Sequence, residues 1–215
     1  MNRAEKIIRI LVKEFKSHRE PTIRRTSRKK NPFHTLITCL LSLRTQDKNT
    51  DIASKSLFAV ADTPKGILKI PIAKLEKLIF KSGHYKKKAR VLKSVCKELI
   101  SRFDGKVPKT KEELLSIKGV GPKTANIVLC FAYGKDVIPV DTHVHRLPNR
   151  WGLVKTKKPE DTESELMKIF DKKYWSKINT TFILFGKNIC VPISPKCSVC
   201  PVNKLCSRVD VLKHR

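Results

Sequence analysis

The residues best placed to do chemistry fall in three stretches. The first is Gly119-Val-Gly-Pro-Lys-Thr-Ala-Asn126, set between two helical patterns. Glycine permits positive φ and lets a backbone approach another group closely. Pro122 suits the first position of the next helix. Exposed amides at such a helix start can hold a phosphate. The stretch therefore fits a helix-hairpin-helix element gripping a DNA backbone, and it also fits an ordinary tight turn. Lys123 falls in the first helical turn, where the positive end of the helix disfavours an ammonium and should lower its pKa. A neutral amine there is a nucleophile able to form a Schiff base with a sugar C1′. The competing reading is one more solvated surface lysine.

The second stretch is Val140-Asp-Thr-His143. Asp141 opens a helical pattern through Val144 and Leu147, so it is an N-cap candidate. A capping carboxylate near a lysine can also stabilise a cationic sugar and accept a proton. The two roles are compatible. His143 and His145 stand two apart, do not share a helix face, and read as packing or hydrogen-bonding residues.

The third is Cys190, Cys197, Cys200 and Cys206, spaced C-x6-C-x2-C-x5-C. Four thiolates in one loop enclose a soft metal centre, either zinc or an iron–sulfur cluster. A single C-x2-C pair and uneven spacing favour a [4Fe–4S] cluster, while spacing alone leaves zinc open. Cys39, Cys96 and Cys130 stand apart in apolar stretches and read as buried small hydrophobes.

The elements that must position these groups are helical. Periodicity of the helical kind dominates, so the fold class is all-α. Met1 to Phe15 reads as an amphipathic helix and not as a secretory signal, which implies a reducing compartment: cytoplasmic and nucleoid-associated, if the source is prokaryotic. Pro21 to Lys30 reads as a basic, polar connector that includes Lys29. Helices are expected from near Pro32, after Thr63-Pro64, through Ala89 to Leu99, after the Thr110/Glu113 capping pattern, after Pro159, and through Phe182 to Phe185. Val137 to Val140 is strand-like but too isolated for a sheet. At 215 residues and 40% apolar content the chain can bury a core, and no apolar run is long enough to span a membrane. Its 47 basic and 19 acidic residues give a formal charge of +28. That surplus points first to nucleic acid as a partner and second to an anionic membrane surface.

The three motifs, in this order and separation, resemble the endonuclease III family of helix-hairpin-helix-GPD DNA glycosylase/AP lyases. The similarity runs from about Pro32 to Cys206. It implies a two-lobed helical protein: a six-helix barrel with the hairpin over 28–135, and a discontinuous [4Fe–4S] cluster domain from 1–27 and 136–215. It implies a monomer that acts on double-stranded DNA containing a damaged base or abasic site. Oxidised pyrimidines such as thymine glycol would be flipped out and removed. Lys123 matches the family's nucleophile and Asp141 its catalytic aspartate. Gly119, Val120, Gly121 and Thr124 match hairpin contacts to DNA, and Lys196 is the basic residue of the loop between Cys190 and Cys197. Two loops of the family fill the hole left by the flipped base. Here they are Leu43-Arg-Thr-Gln-Asp47 and Gly83-His-Tyr85. Arg44 stands where glutamine is often found, and His84 where an apolar wedge is common. Asp47 matches an acidic loop residue that also suits a structural cap. Two rival functions remain: a mismatch-specific glycosylase on the same scaffold, and a non-catalytic DNA-binding metalloprotein.

Overall fold

The computed structural model describes every residue except Met1 and Lys29. The start of the expected first helix at Met1 and the Lys29 part of the expected connector lie outside the described residues. Twelve α-helices and several short helical turns make up the described chain, with no β-strand among the described residues. The chain divides into two units, Met1–Pro21 with Asp136–Arg215, and Thr22–Lys135.

In the unit Thr22–Lys135, α3 (Pro32–Ser42) is central. Phe33, Leu36, Ile37, Cys39, Leu40 and Leu41 are all buried, so this helix is covered on most of its circumference. Asn31 caps it by accepting from the His34 amide at 3.0 Å, with Pro32 in the first turn. The expected connector from Pro21 to Lys30 is corrected here: Thr22–Ser27 forms a short helix, α2. Its start is held by Asp47, whose Oδ1 accepts from the Thr22 amide at 2.8 Å. Ser27 then donates to Ile23 O at 2.7 Å and lies 3.1 Å from Thr35 Oγ1, so α2 packs against α3. Because of that packing the boundary on this side falls at Pro21 and not at residue 27. Asp47 opens α4 (Asp47–Phe58), a helix whose polar first turn hides it from periodicity. Next come α5 (Pro64–Lys69), capped by Thr63, and α6 (Ile72–Leu78). The long α7 (Tyr85–Phe103) turns Ala89, Leu92, Val95, Cys96 and Leu99 inward. Thr110 caps α8 (Lys111–Leu115), and α9 (Pro122–Ile127) follows the glycine turn and continues as a π-helical stretch, Val128–Ala132.

The other unit is built on α1 (Arg3–Glu14), α10 (Thr142–Arg150), α11 (Pro159–Ile169) and α12 (Lys172–Asn188). Ile7, Ile8, Leu11 and Phe15 form one stripe of α1 and join a core with Trp151, Phe182 and Phe185. Trp151 meets Phe182 edge-on, with ring centroids 4.9 Å apart. Val137 to Val140 pairs with no strand; the Pro139 carbonyl accepts instead from the Asn179 side chain at 2.8 Å. Among the described residues no helix is long and apolar enough to cross a membrane.

Candidate active site and cysteine cluster

The turn between α8 and α9 depends on Gly119. Its φ is +98°, and a Cβ there would lie 3.0 Å from Val91 Cγ1. Only glycine meets both demands without displacing α7. Val120 folds inward, 6% exposed, and its amide donates to Ile117 O at 3.0 Å. Gly121 precedes α9 in extended backbone, and the space beside its Cα is open. Lys123 is the second residue of α9 and is half-buried. Thr124 is buried and takes a contact from Cys39 Sγ at 3.6 Å, so its side chain points into its unit. Burial pushes the Cys39 thiol up, and the charge of Lys123 opposes that shift. Cys39 thus lies beside the candidate nucleophile, which the residue types alone did not signal.

Asp141 belongs to the other unit. It caps α10: one carboxylate oxygen accepts from the His143 amide and the Val144 amide, both at 2.9 Å. Just before it, Pro139 O accepts from the Asn179 side chain of α12, which ties this stretch to α12. Gly186 of α12 lets His143 pack close, since a Cβ at 186 would sit 2.4 Å from His143 Nδ1. His145 Nδ1 lies 2.6 Å from Thr162 Oγ1 on α11. Both histidines pack and hydrogen-bond, the role read for them in the sequence.

The two loops with unusual residues meet in one place. Arg44 and His84 both line a cavity of about 480 Å³, together with Leu43, Lys88, Val91 and Gly119. Both side chains are exposed. Asp47, by contrast, is engaged with α2 through the Thr22 amide and hydroxyl, which makes it a structural cap.

Cys190, Cys197, Cys200 and Cys206 line a single hollow, with Arg150 and Arg208 on its wall. The Arg150 guanidinium lies 3.6 Å from Cys190 Sγ, and the Arg208 amide donates to Cys206 Sγ at 3.3 Å. Donors of this kind favour thiolates. Burial pushes the Cys200 thiol up to about 11, and the other three cysteines add to the shift. Among the described residues, no three His, Cys, Asp or Glu side chains close around one point as a single ion requires. Lys196 is exposed on the loop between the first two cysteines.

Comparison with known proteins gives these positions a context. Residues 37–172 match the HhH-GPD superfamily base excision DNA repair protein model. Endonuclease III of Thermotoga maritima is 42% identical over 202 residues, covering 94% of this chain and 91% of that protein. The chain belongs to the endonuclease III family. Endonuclease III of Rickettsia conorii is 40% identical over 184 residues, covering 86% of this chain and 88% of its own. A solved structure described as a trapped endonuclease III–DNA covalent intermediate with an estranged adenine superposes with a TM-score of 0.83 at 33% identity, over 97% of both chains. A thermostable thymine-DNA glycosylase also superposes at 0.83, with 26% identity over 96% of both chains.

Within this family the hairpin and the cysteine spacing were legible because each is a local pattern. The grouping of Arg44 with His84 followed from the resemblance and not from the residues themselves. Sequence reading missed Lys88, which looks like its neighbours Lys86 and Lys87 and is separated from them only by burial. It read Cys39 as a buried small hydrophobe, which it is, without placing it beside Lys123.

Proposed function

We propose that this protein is a bifunctional DNA glycosylase/AP lyase of base-excision repair, acting on oxidised pyrimidines in duplex DNA. The observation that carries this reading is Lys123 on the first turn of a helix entered through Gly119-Val-Gly121, in a chain of the endonuclease III family. The hairpin amides and a surplus of positive charge bind the phosphate backbone. Gly119, Gly121 and Lys196 contact the backbone, while Val120, turned inward with its amide bonded to Ile117 O, holds the turn, and Thr124 packs within its unit against Cys39. The damaged nucleotide is extruded, and Arg44 and His84 enter the gap it leaves.

Lys123 Nζ, as the free amine, attacks C1′. The C1′–N bond breaks with its electron pair on the base, which leaves as the anion and takes a proton from water. Asp141 stabilises the positive charge on the sugar and accepts the proton shed by the attacking nitrogen. Ring opening gives a Schiff base between Nζ and C1′. The imine acidifies C2′, loss of a C2′ proton follows, and β-elimination breaks the C3′–O bond on the 3′ side of the lesion.

Cys190, Cys197, Cys200 and Cys206 would hold a [4Fe–4S] cluster. Four cysteines lining one hollow, with the Arg150 guanidinium and the Arg208 amide directed at two of the sulfurs, fit such a cluster, and the uneven spacing with one C-x2-C pair favours it over zinc. When bound, such a cluster ties together a segment with little core of its own.

Borohydride trapping tests the reading, with duplexes carrying one thymine glycol or one plain abasic site. Covalent capture on both is expected, with none for Lys123→Gln. Capture on the abasic site alone, with excision of thymine from a G·T mismatch, would favour a mismatch-directed thymine glycosylase on the same scaffold. Tight binding with no capture on either would leave a non-catalytic DNA-binding metalloprotein.

A further inference from the structure

Lys88 carries an ammonium yet is 9% exposed, and the reaction above makes no use of it. It lies in the first turn of α7, where its amide donates to His84 O at 3.0 Å. Its Nζ donates to three oxygens: Leu41 O at 2.7 Å, Thr45 Oγ1 at 2.6 Å and Ser82 O at 2.5 Å. The Thr45 hydroxyl in turn donates to Ser82 O. An ammonium has three N–H donors, so each finds one acceptor.

The three acceptors stand at informative places. Leu41 ends the buried part of α3. Thr45 follows Arg44 directly, and Ser82 directly precedes Gly83 and His84. An apolar side chain would fill the same space with no charge to desolvate. What the ammonium adds is a bond to each loop. Arg44 and His84 both hold left-handed backbone, at φ 51° and 47°, a conformation that persists only where the surroundings impose it.

We propose that Lys88 is a positioning residue that pins the two gap-filling loops to one another and so fixes how Arg44 and His84 enter the duplex. This rests on the reading of Arg44 and His84 as gap-filling residues. Lys88 touches neither the sugar nor the base; it acts through the loop backbones. The substrate feature it governs is the base opposite the lesion, because that base is what Arg44 and His84 would meet.

Strand cleavage at an abasic site separates this role from general support of the fold. The site is placed opposite each of the four bases in duplex DNA, and also in a single strand, where no orphan base exists. Lys88→Met is expected to slow duplex cleavage tenfold or more and to narrow the spread among opposite bases. Borohydride trapping on the single strand is expected to stay within twofold of the parent. In an Arg44→Ala/His84→Ala background, Lys88→Met is expected to cause no further loss. Unchanged duplex cleavage in Lys88→Met would overturn the proposal. So would a full additional loss in the doubly substituted background, or a fall in single-strand trapping that matches the duplex loss. Should Lys88→Met not fold, Thr45→Val keeps the side-chain shape, removes one acceptor, and is expected to give a smaller loss with the same pattern. Equal duplex and single-strand effects in that variant would overturn the proposal too. Parental duplex rates in Arg44→Ala/His84→Ala would instead remove the gap-filling reading, while Lys123 trapping stood.

Discussion

Arg44 and His84 reach the same cavity from separate loops, each with a left-handed backbone that an L side chain seldom adopts. Each such residue stores about 1–2 kcal/mol relative to glycine. Glycine also raises the entropy of the unfolded chain, which offsets about 0.5–1 kcal/mol of the relief. His84→Gly and Arg44→Gly are therefore expected to melt no lower than the parent, while excision from duplex DNA falls at least tenfold. Melting curves and single-turnover kinetics measured together check this. Lower stability with unchanged excision would make both residues structural.

Asp141 combines two roles that substitution can separate. Its Oδ1 accepts from the His143 and Val144 amides, so it caps α10. Asparagine caps as well as aspartate, whereas alanine costs about 1 kcal/mol. Asp141→Asn is expected to keep stability and lose about 10²–10⁴-fold in excision rate, the usual reach of a positioned proton acceptor. Asp141→Ala should lose both. An Asn variant of parental activity would reduce Asp141 to a helix cap.

The segment from Cys190 to Arg215 buries little. Cys190, Pro195 and Val202 are its buried residues, while Ile193 and Leu212 are 87% and 97% exposed. Hydrophobic contact alone orders it weakly, so metal ligation should supply the remainder. Cys197→Ser, or removal of the metal by a chelator with oxidant, is expected to raise amide exchange across 190–206 and to leave Thr22–Lys135 as protected as before. Metal analysis of the untreated protein should return iron and sulfide. Zinc in place of iron would replace the cluster with a single-ion site.

Asp51 provides a pH signature. Burial pushes its carboxyl up, but Lys55 and Arg25, each at 3.1 Å, outweigh that and hold it below the usual carboxylate range. A carboxyl lowered in the folded state contributes stability above the unfolded value, near 3.9, and loses it as pH falls through the folded value. Asp51→Asn should therefore lose stability near neutrality, by no more than about 1 kcal/mol for a surface pair. The gap to the parent should close on acidification below about pH 4. A gap independent of pH would assign the loss to packing and not to charge.

Much of the helix plan was decided locally. Asn31, Thr63, Thr110 and Asp141 each cap the helix that follows them, within three residues of the amide they accept from. Such bonds close over a few residues and leave a sequence signature. The helix Thr22–Ser27 left none, because its start is held by Asp47 from 25 positions away. The polar opening of Asp47–Phe58 was hidden for a related reason: its side chains answer to α2 as well as to their own turn.

The sequence by itself determined the all-helical class, the glycine turn before Lys123, the cap at Asp141 and the four-cysteine spacing. Each is a demand made by neighbouring residues: positive φ at Gly119, an amide to satisfy, a chain short enough to bring sulfurs together. Tertiary structure alone decided which lysine is buried. Lys86, Lys87 and Lys88 are one run in the sequence, yet only Lys88 turns inward, to a carbonyl 47 residues earlier. Its partners exist only once α3, the Arg44 loop and the Ser82 turn have packed together. A buried charge is tolerated only where a finished fold supplies its acceptors, and no local pattern can announce that.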